Sequence, residues 1–393
     1  MYLQSLELHN FRNFLTRRFE FSQEVNVVYG PNASGKTNLL EAIYMLSNLR
    51  SFRTHRLRDL IHWDQPQAYI RGIVHADTAE RPTTSGKTLG IKLEPTTRTA
   101  FLQTKPCRSS RDYLQILPST AFIPDDLELV KGLPAARRFF LDRGTFQYYP
   151  PYWSALTDYK KNLQQKNAAL RQFKEQRRKT SDSRSQAGTW DVWSEQLRQV
   201  GSQVIWHRLR FLQSIRRILP GIYTQWLGDT ETIDVQYQAS IRLDAAGIMT
   251  ALLDPEMSQA QLLEQIMGIY GEAAERNLER ELRQGSTVIG PHRDDLDIHS
   301  RGRELRSFGS QGQQRTAVLA LKIAEVLLYF EQHQEYAVLV LDDVTSELDE
   351  RRTERLFDYV QHGMQVFIST TSKPDLPVDR SLSCAYFDLS TVA

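Results

Sequence analysis

The sequence predicts an α/β fold in which both chain ends build one domain and a helical domain is inserted between them. Three observations carry that expectation. Residues 24–29 are β-rich and run into a glycine-rich loop, Gly30-Pro31-Asn32-Ala33-Ser34-Gly35-Lys36-Thr37, followed by helical spacing over residues 38–46. Far along the chain, the apolar run 338–341 ends in Asp342-Asp343, and Ser310-Gln311-Gly312-Gln313-Gln314 precedes a long apolar helical stretch. Between these segments the pattern turns polar and helical. The expected division is residues 1–145 together with 276–393 for the split domain, and residues 146–275 for the helical arm.

The elements follow in order. Residues 3–8 read as a strand, residues 68–125 as short strands with turns, and residues 150–215 as polar helix. Residues 159–179 are dense in Lys, Arg and Gln, and residues 180–188 read as a tip between two helices. The second helix runs through Trp193, Leu197, Val200 and Val204 toward Leu209, and residues 252–283 are helical again. Residues 365–368 form a last β-rich segment, followed by Ser369, Thr370 and Thr371.

Composition bounds the function. A chain of 393 residues with 40% hydrophobic and 24% charged residues can bury a sizeable core. The formal net charge of +2 announces no global basic field, so a nucleic-acid partner must be read from local patches. Two distant cysteines, Cys107 and Cys384, have no metal spacing and fit a reducing cytoplasm. No leader pattern precedes the first strand, and no apolar run reaches membrane length. The most apolar helix candidate, residues 317–330, is broken by Lys322 and Glu325, so no membrane partner is expected.

The glycine loop has the G-x-x-x-x-G-K-[ST] pattern between a strand and a helix, the context a phosphate-binding loop requires. Its backbone N–H groups and the helix N-terminus favour phosphate, Lys36 can reach the β- and γ-phosphates, and Thr37 can ligate Mg²⁺. Asp342 at a strand end can hold the same ion, and Asp343 can polarise an attacking water. Ser310 with Gly312 and Gln313 at a helix start makes a second anion site. Two phosphate sites in one chain are reconciled by a symmetric dimer, in which Ser310 of one copy reaches the γ-phosphate held at Lys36 of the other.

These segments resemble, in kind and order, the ABC-type (SMC-like) ATPase heads. Further strings narrow the resemblance to the bacterial RecF family: residues 8–14, residues 49–53, residues 124–132, residues 137–142, Gly290-Pro291-His292-Arg293-Asp294-Asp295, and Ser310-Gln311-Gly312-Gln313-Gln314-Arg315. The resemblance implies ATP and Mg²⁺ as cofactors, an ATP-dependent homodimer, and double-stranded DNA bound beside single-strand gaps. It also implies cooperation with RecR and RecO, indirect help in loading RecA, and slow ATP hydrolysis as a timer. It places nucleotide contacts at Arg12 and Asn13, and Asn38, next after Thr37, is a further candidate. SMC relatives insert long heptad coiled coils, whereas this insert is short and lacks sustained heptads.

Two residues qualify the chemistry. Asp343 stands where many such heads carry Glu, one methylene longer. Ser369, Thr370 and Thr371 stand where many carry a switch histidine, so a hydroxyl is expected to sense the γ-phosphate. For DNA, the candidates are the arm cluster of Lys160, Lys161, Lys166, Arg171, Lys174, Arg177, Arg178, Lys179 and Arg184, and a second basic stretch with Arg50, Arg53, Arg56 and Arg58. His292 has no partner spacing for a metal or a catalytic base, so a structural role is expected. The alternative is the ATP-binding subunit of a membrane transporter, whose signature segment lies much closer to the phosphate loop than the 274 residues separating Lys36 from Ser310 (310 − 36).

Overall fold

The structure is a computed structural model that describes residues 1–75, 77–78, 81–82, 86–179, 189–227, 231–254, 257–343, 350–360, 363–371 and 381–390. The chain packs as two compact units, Met1–Leu127 with Val318–Ala393, and Glu128–Ala317.

The first unit is organised on a five-stranded parallel sheet in the order Ser119–Phe122, Val338–Leu341, Val366–Thr370, Val25–Tyr29, Cys384–Asp388. The strand before the glycine loop therefore lies between two strands from the far end of the chain. This is the physical reason both ends are needed for one domain. A parallel sheet covered on both faces reads as continuous apolar sequence, and Val338, Leu339, Val340, Leu341, Val366, Phe367 and Ile368 are all buried.

An antiparallel sheet completes this unit, in the order Phe14–Glu20, Tyr2–Phe11, Ala68–His75, Lys87–Leu93, Arg98–Leu102, Lys105–Pro106. The alternation Ala68 in, Tyr69 out, Ile70 in, Arg71 out marks a sheet with one solvated face. Its apolar face shares a core with helix Lys36–Asn48, through Leu3, Leu8, Ile70, Leu39, Leu40 and Ile43.

The second unit packs helices Pro134–Tyr148, Tyr152–Lys179, Thr189–Leu227 and Gln259–Gln284 with a three-stranded sheet of Ile233–Gln238, Asp295–Ser300 and Arg303–Glu304. The buried stripe Leu197, Val204, Ile205, Leu212, Ile215 and Leu219 keeps helical spacing well past Leu209, so the helix continues to Leu227 with Pro220 inside it. The next long helix starts at Gln259 rather than Leu252, because Ser258 and Gln261 form a reciprocal capping box. By packing, residues 128–145 and 276–317 belong with the helical arm's own helices rather than with the parallel sheet. Helix Pro134–Tyr148 packs on helix Thr189–Leu227 and on strand Asp295–Ser300, which moves the packing boundaries from 145/146 and 275/276 to 127/128 and 317/318. The expected tip at residues 180–188 lies outside the described residues.

The sharpest departure from the sequence reading is Lys166. It belongs to the basic cluster read as a DNA contact, yet its ammonium is 2.7 Å from Glu281 Oε2 and both side chains are almost fully buried. A charge so placed cannot meet a phosphate backbone. Its neighbours on the same face are also engaged: Lys174 Nζ donates to the Gln284 carbonyl at 2.9 Å, and Arg171 Nε donates to the Asn167 carbonyl at 3.2 Å.

Candidate nucleotide site

The glycine loop joins the C-terminal end of strand Val25–Tyr29 to helix Lys36–Asn48. Gly35 adopts φ 102°, and a Cβ there would lie 2.5 Å from Asn13 Nδ2, so both backbone and neighbour require glycine. Pro31, Asn32 and Ala33 are exposed at the rim of the loop, and Gly35 and Lys36 are buried beneath them. Lys36 Nζ donates to the carbonyls of Gly30 at 2.7 Å and Pro31 at 2.8 Å. Burial lowers the pKa of this ammonium, and the carboxylates of Asp343 and Asp342 oppose that shift.

Because the sheet is parallel, strand Val338–Leu341 ends at the same edge as the glycine loop, with strand Val366–Thr370 between them. Register pairs Leu341 with Ile368, which sets Asp342 beside Ser369. Asp342 Oδ1 accepts from Thr37 Oγ1 at 3.1 Å and from Ser369 Oγ at 2.6 Å. The Asp343 N–H donates to Ser369 Oγ at 2.8 Å, and Asp343 has a left-handed φ of 53°. Burial raises the Asp342 pKa, the hydrogen bonds from Ser369 and Thr37 lower it, and the Asp343 charge raises it again.

Two acidic and two hydroxyl side chains thus converge with Lys36 at one sheet edge. Among the described residues no cluster of three or more His, Cys, Asp or Glu could hold a metal alone. Mg²⁺ needs fewer protein ligands: it keeps waters and takes phosphate oxygens, so the Thr37 hydroxyl and the Asp342 carboxylate fit it.

Arg12 and Asn13 flank the same loop in different ways. Asn13 Oδ1 accepts from Asn38 Nδ2 at 2.8 Å, and Asn13 Nδ2 approaches the Ser34 carbonyl at 3.5 Å. The Arg12 guanidinium is committed elsewhere. Its Nε and Nη2 grip both oxygens of Glu41 at 2.8 and 2.7 Å, and Nη1 donates to the Asp59 carbonyl at 2.7 Å. Glu41 is fully buried and also accepts from Ser51 Oγ at 2.5 Å. Sequence reading missed Glu41 and Ser51. The available signal was an acid inside a helix whose neighbours Leu39, Leu40, Ala42 and Ile43 are all core-forming. A buried acid of that kind needs a bidentate partner.

The DNA candidates divide. Arg53 is exposed, donates to Asn38 Oδ1 at 2.9 Å and lies 3.8 Å from Glu41 Oε2. Arg50 is half-buried, and burial lowers its pKa. Arg177, Arg178 and Lys179 fall on the last turn of helix Tyr152–Lys179, but their side chains, and all of Arg184, lie outside the described residues.

In the second unit, Ser310 caps the helix Gln311–His333. Its Oγ accepts from the Gln313 N–H at 3.2 Å, and Gln313 Oε1 accepts from the Ser310 N–H at 3.0 Å. The same hydroxyl keeps its own proton for an anion. Gly312 lies in the first turn of that helix. Gln313 Nε2 also lies 3.4 Å from Glu231 Oε2, and Glu231 pairs with Arg301 at 2.8 Å.

The Gly290–Asp295 string has a structural role. Arg208, fully buried, donates to Asp142 Oδ1 at 2.7 Å and to the Pro291 carbonyl at 2.9 Å. Tyr237 donates to Asp294 Oδ2 at 2.6 Å, and Arg137 binds both oxygens of Asp295 at 2.7 and 2.8 Å. His292 Nδ1 is 2.5 Å from the Tyr159 hydroxyl, and burial pulls its pKa down to about 4.

Comparison with known proteins meets this geometry. The family described as "RecF/RecN/SMC N terminal domain" matches residues 2–387. A DNA replication and repair protein RecF from Exiguobacterium sp. is 35% identical over 95% of this chain and 93% of its own length. A solved structure of the recombination mediator protein RecF with ATP, in the RecFOR pathway, is similar at TM-score 0.82 with 29% identity. The match covers 99% of this chain and 96% of that one. An Smc head bound to the C-winged helix domain of ScpA shares the fold at TM-score 0.51 and 15% identity, covering 95% of this chain and 90% of that one.

Proposed function

The chain belongs to the RecF family of DNA replication and repair proteins, and on that premise we propose that it is an ATP-gated DNA clamp. ATP with Mg²⁺ binds at the glycine loop, and two copies close around two nucleotides on duplex DNA beside single-strand gaps. Cooperation with RecR and RecO, and through them the loading of RecA, completes the reading, in the cytoplasm. The solved RecF structures in the RecFOR pathway support the ATP and the pathway parts of it. Among the described residues no helix is long and apolar enough to cross a membrane, and no observation favours a transporter subunit.

One observation carries the nucleotide reading: Lys36, Thr37, Asp342 and Ser369 meet at one edge of a parallel sheet. Lys36 exchanges its loop carbonyls for phosphate oxygens. Thr37 and Asp342 would hold Mg²⁺, which would supply positive charge to the nucleotide phosphates. Asp343 orients the attacking water, and its short side chain and engaged backbone favour slow turnover. Ser310 of the second copy donates its free proton to the γ-phosphate, its position fixed by the capping box. Arg53 takes DNA phosphate beside the nucleotide, with Arg177, Arg178 and Lys179 on the arm. Arg50, half-buried in the same stretch, is the second candidate contact there.

The test is fluorescence anisotropy of a labelled duplex with ATP and with ADP, at fixed moderate salt, for the parent, Lys36→Arg and Ser310→Arg proteins. Tighter binding with ATP that both substitutions abolish supports the clamp. Binding that is absent or indifferent to nucleotide overturns it.

A further inference from the structure

Trp63 is the most exposed large hydrophobic side chain among the described residues, at 84%. It is not held out by a loose loop. The His62 N–H donates to the Asn10 carbonyl at 2.7 Å, and the Arg12 N–H donates to the Leu60 carbonyl at 2.9 Å. The His62 ring contacts the Arg12 carbonyl at 2.7 Å, and Ile61 bridges to Phe11. Asp64 turns the chain back in a left-handed conformation, φ 59°. The indole therefore stands in water on a hydrogen-bonded loop, which spares a ligand the cost of ordering the backbone beneath it.

The chemistry around it selects the ligand. The Arg58 guanidinium donates to the Gln65 carbonyl at 2.7 Å, on the turn that carries Trp63. Exposed Arg56 and Arg53 stand on the same loop, against the acids Asp59 and Asp64. Asp59 accepts the Thr54 hydroxyl at 2.7 Å. Leu60 and Ile61 turn into the core, so no apolar ring surrounds the indole within its own loop. An anchor for a protein partner sits inside such a ring. An exposed indole on a loop that also carries exposed Arg53, Arg56 and Arg58 suits a base, which stacks on the ring while the cations meet the flanking phosphates.

We propose that Trp63 is a stacking platform for an unpaired base of single-stranded DNA, with Arg56 and Arg58 on the adjoining phosphates. The bases of a duplex are already stacked on one another, so this site engages only an unpaired strand. The inference rests on the DNA-binding reading, which already sets the protein beside gaps, and adds to it the side chain that meets the unpaired strand there.

The experiment compares a blunt duplex with the same duplex carrying a short unpaired tail, with ATP present, for the parent, Trp63→Ala and Trp63→Phe proteins. A second tail carries 2-aminopurine, whose fluorescence falls on stacking. The expected result is tighter parent binding to the tailed duplex and quenching of the probe. Trp63→Ala should lose that gain, roughly five- to 150-fold for one stacked base, with blunt-duplex affinity unchanged, and Trp63→Phe should restore part of it. Equal parent affinity for the two duplexes overturns the proposal and leaves DNA binding intact, as does an unaltered tail gain in Trp63→Ala. Equal weakening on both duplexes also overturns it. If the parent binds neither duplex, the DNA-binding reading itself fails.

Discussion

The Ser369 hydroxyl donates to Asp342 Oδ1 at 2.6 Å, so the residue standing where a nucleotide sensor was expected is bonded to the carboxylate that would hold the metal. The Ser369 Oγ in turn accepts the Asp343 N–H. One side chain on the intervening strand thus sets the positions of both aspartates. Any response of Ser369 to the γ-phosphate passes through Asp342 and the Asp343 backbone.

Removing this hydroxyl leaves a buried carboxylate with one donor fewer and a partly buried N–H without that acceptor. Ser369→Ala should cost about 1–3 kcal/mol in stability and raise the already elevated Asp342 pKa further. A folded carboxyl with a raised pKa contributes stability that is present at low pH and lost as pH rises through that pKa. Asp342→Asn should therefore raise the melting temperature near neutral pH while weakening Mg²⁺-dependent nucleotide binding. Melting curves across pH check the sign: a variant less stable than the parent at neutral pH would refute it.

At the glycine loop, Gly35→Ala adds a Cβ 2.5 Å from Asn13 Nδ2 at a backbone φ of 102°. Strain of this kind costs about 1–3 kcal/mol, so affinity for a fluorescent ATP analogue should fall on the order of tenfold or more. Asn13→Ala in the same chain should recover part of the loss by relieving the clash. No recovery would mean that backbone strain alone accounts for the effect.

The Lys166–Glu281 pair makes opposite predictions for stability and for DNA. Lys166→Met strands a buried carboxylate and should cost about 3–5 kcal/mol, with most of it returned by adding Glu281→Gln. Duplex affinity of the double variant should match the parent. Urea unfolding and anisotropy together decide this. A lowered salt slope in the double variant would restore Lys166 as a phosphate contact.

Two histidines of the helical unit should make it acid-sensitive. Burial depresses His207 and His292 from the ordinary 6.5 to about 4. Each is neutral when folded, so its contribution is fully present above pH 6.5 and is lost as pH falls toward 4, where the unfolded chain has taken up the proton. Denaturation midpoints between pH 7 and 4 should decline, and His207→Phe should flatten that slope. His207 stacks on Tyr149 with ring centroids 4.6 Å apart, a contact that phenylalanine can keep.

Much of the site was legible because its residues are tied to local backbone geometry. The loop from Gly30 to Thr37 needs glycine conformations, a strand before it and a helix after it, and all three leave signatures within a few residues. Asp342-Asp343 was legible for the same reason, as a charged end to an apolar strand. Glu41, Ser51 and Arg208 were not legible. Each is a polar side chain whose meaning lies in a partner that is remote in sequence, and helical spacing alone does not separate a buried paired charge from a solvated one. Lys166 shows the cost of that ambiguity: in sequence it is one cation among many, and in the fold it faces Glu281.

The sequence by itself determined the glycine-rich loop between strand and helix, the α/β class, the order of the motifs and the family, because these follow from spacing along the chain. Tertiary structure alone decided which charges are available. Parallel register brought Ser369 to Asp342. Helix packing buried Lys166 and Arg208, and a pinned loop left Trp63 in water. Burial and partner choice are properties of surfaces that meet across hundreds of residues, and local pattern carries no record of which surfaces those are.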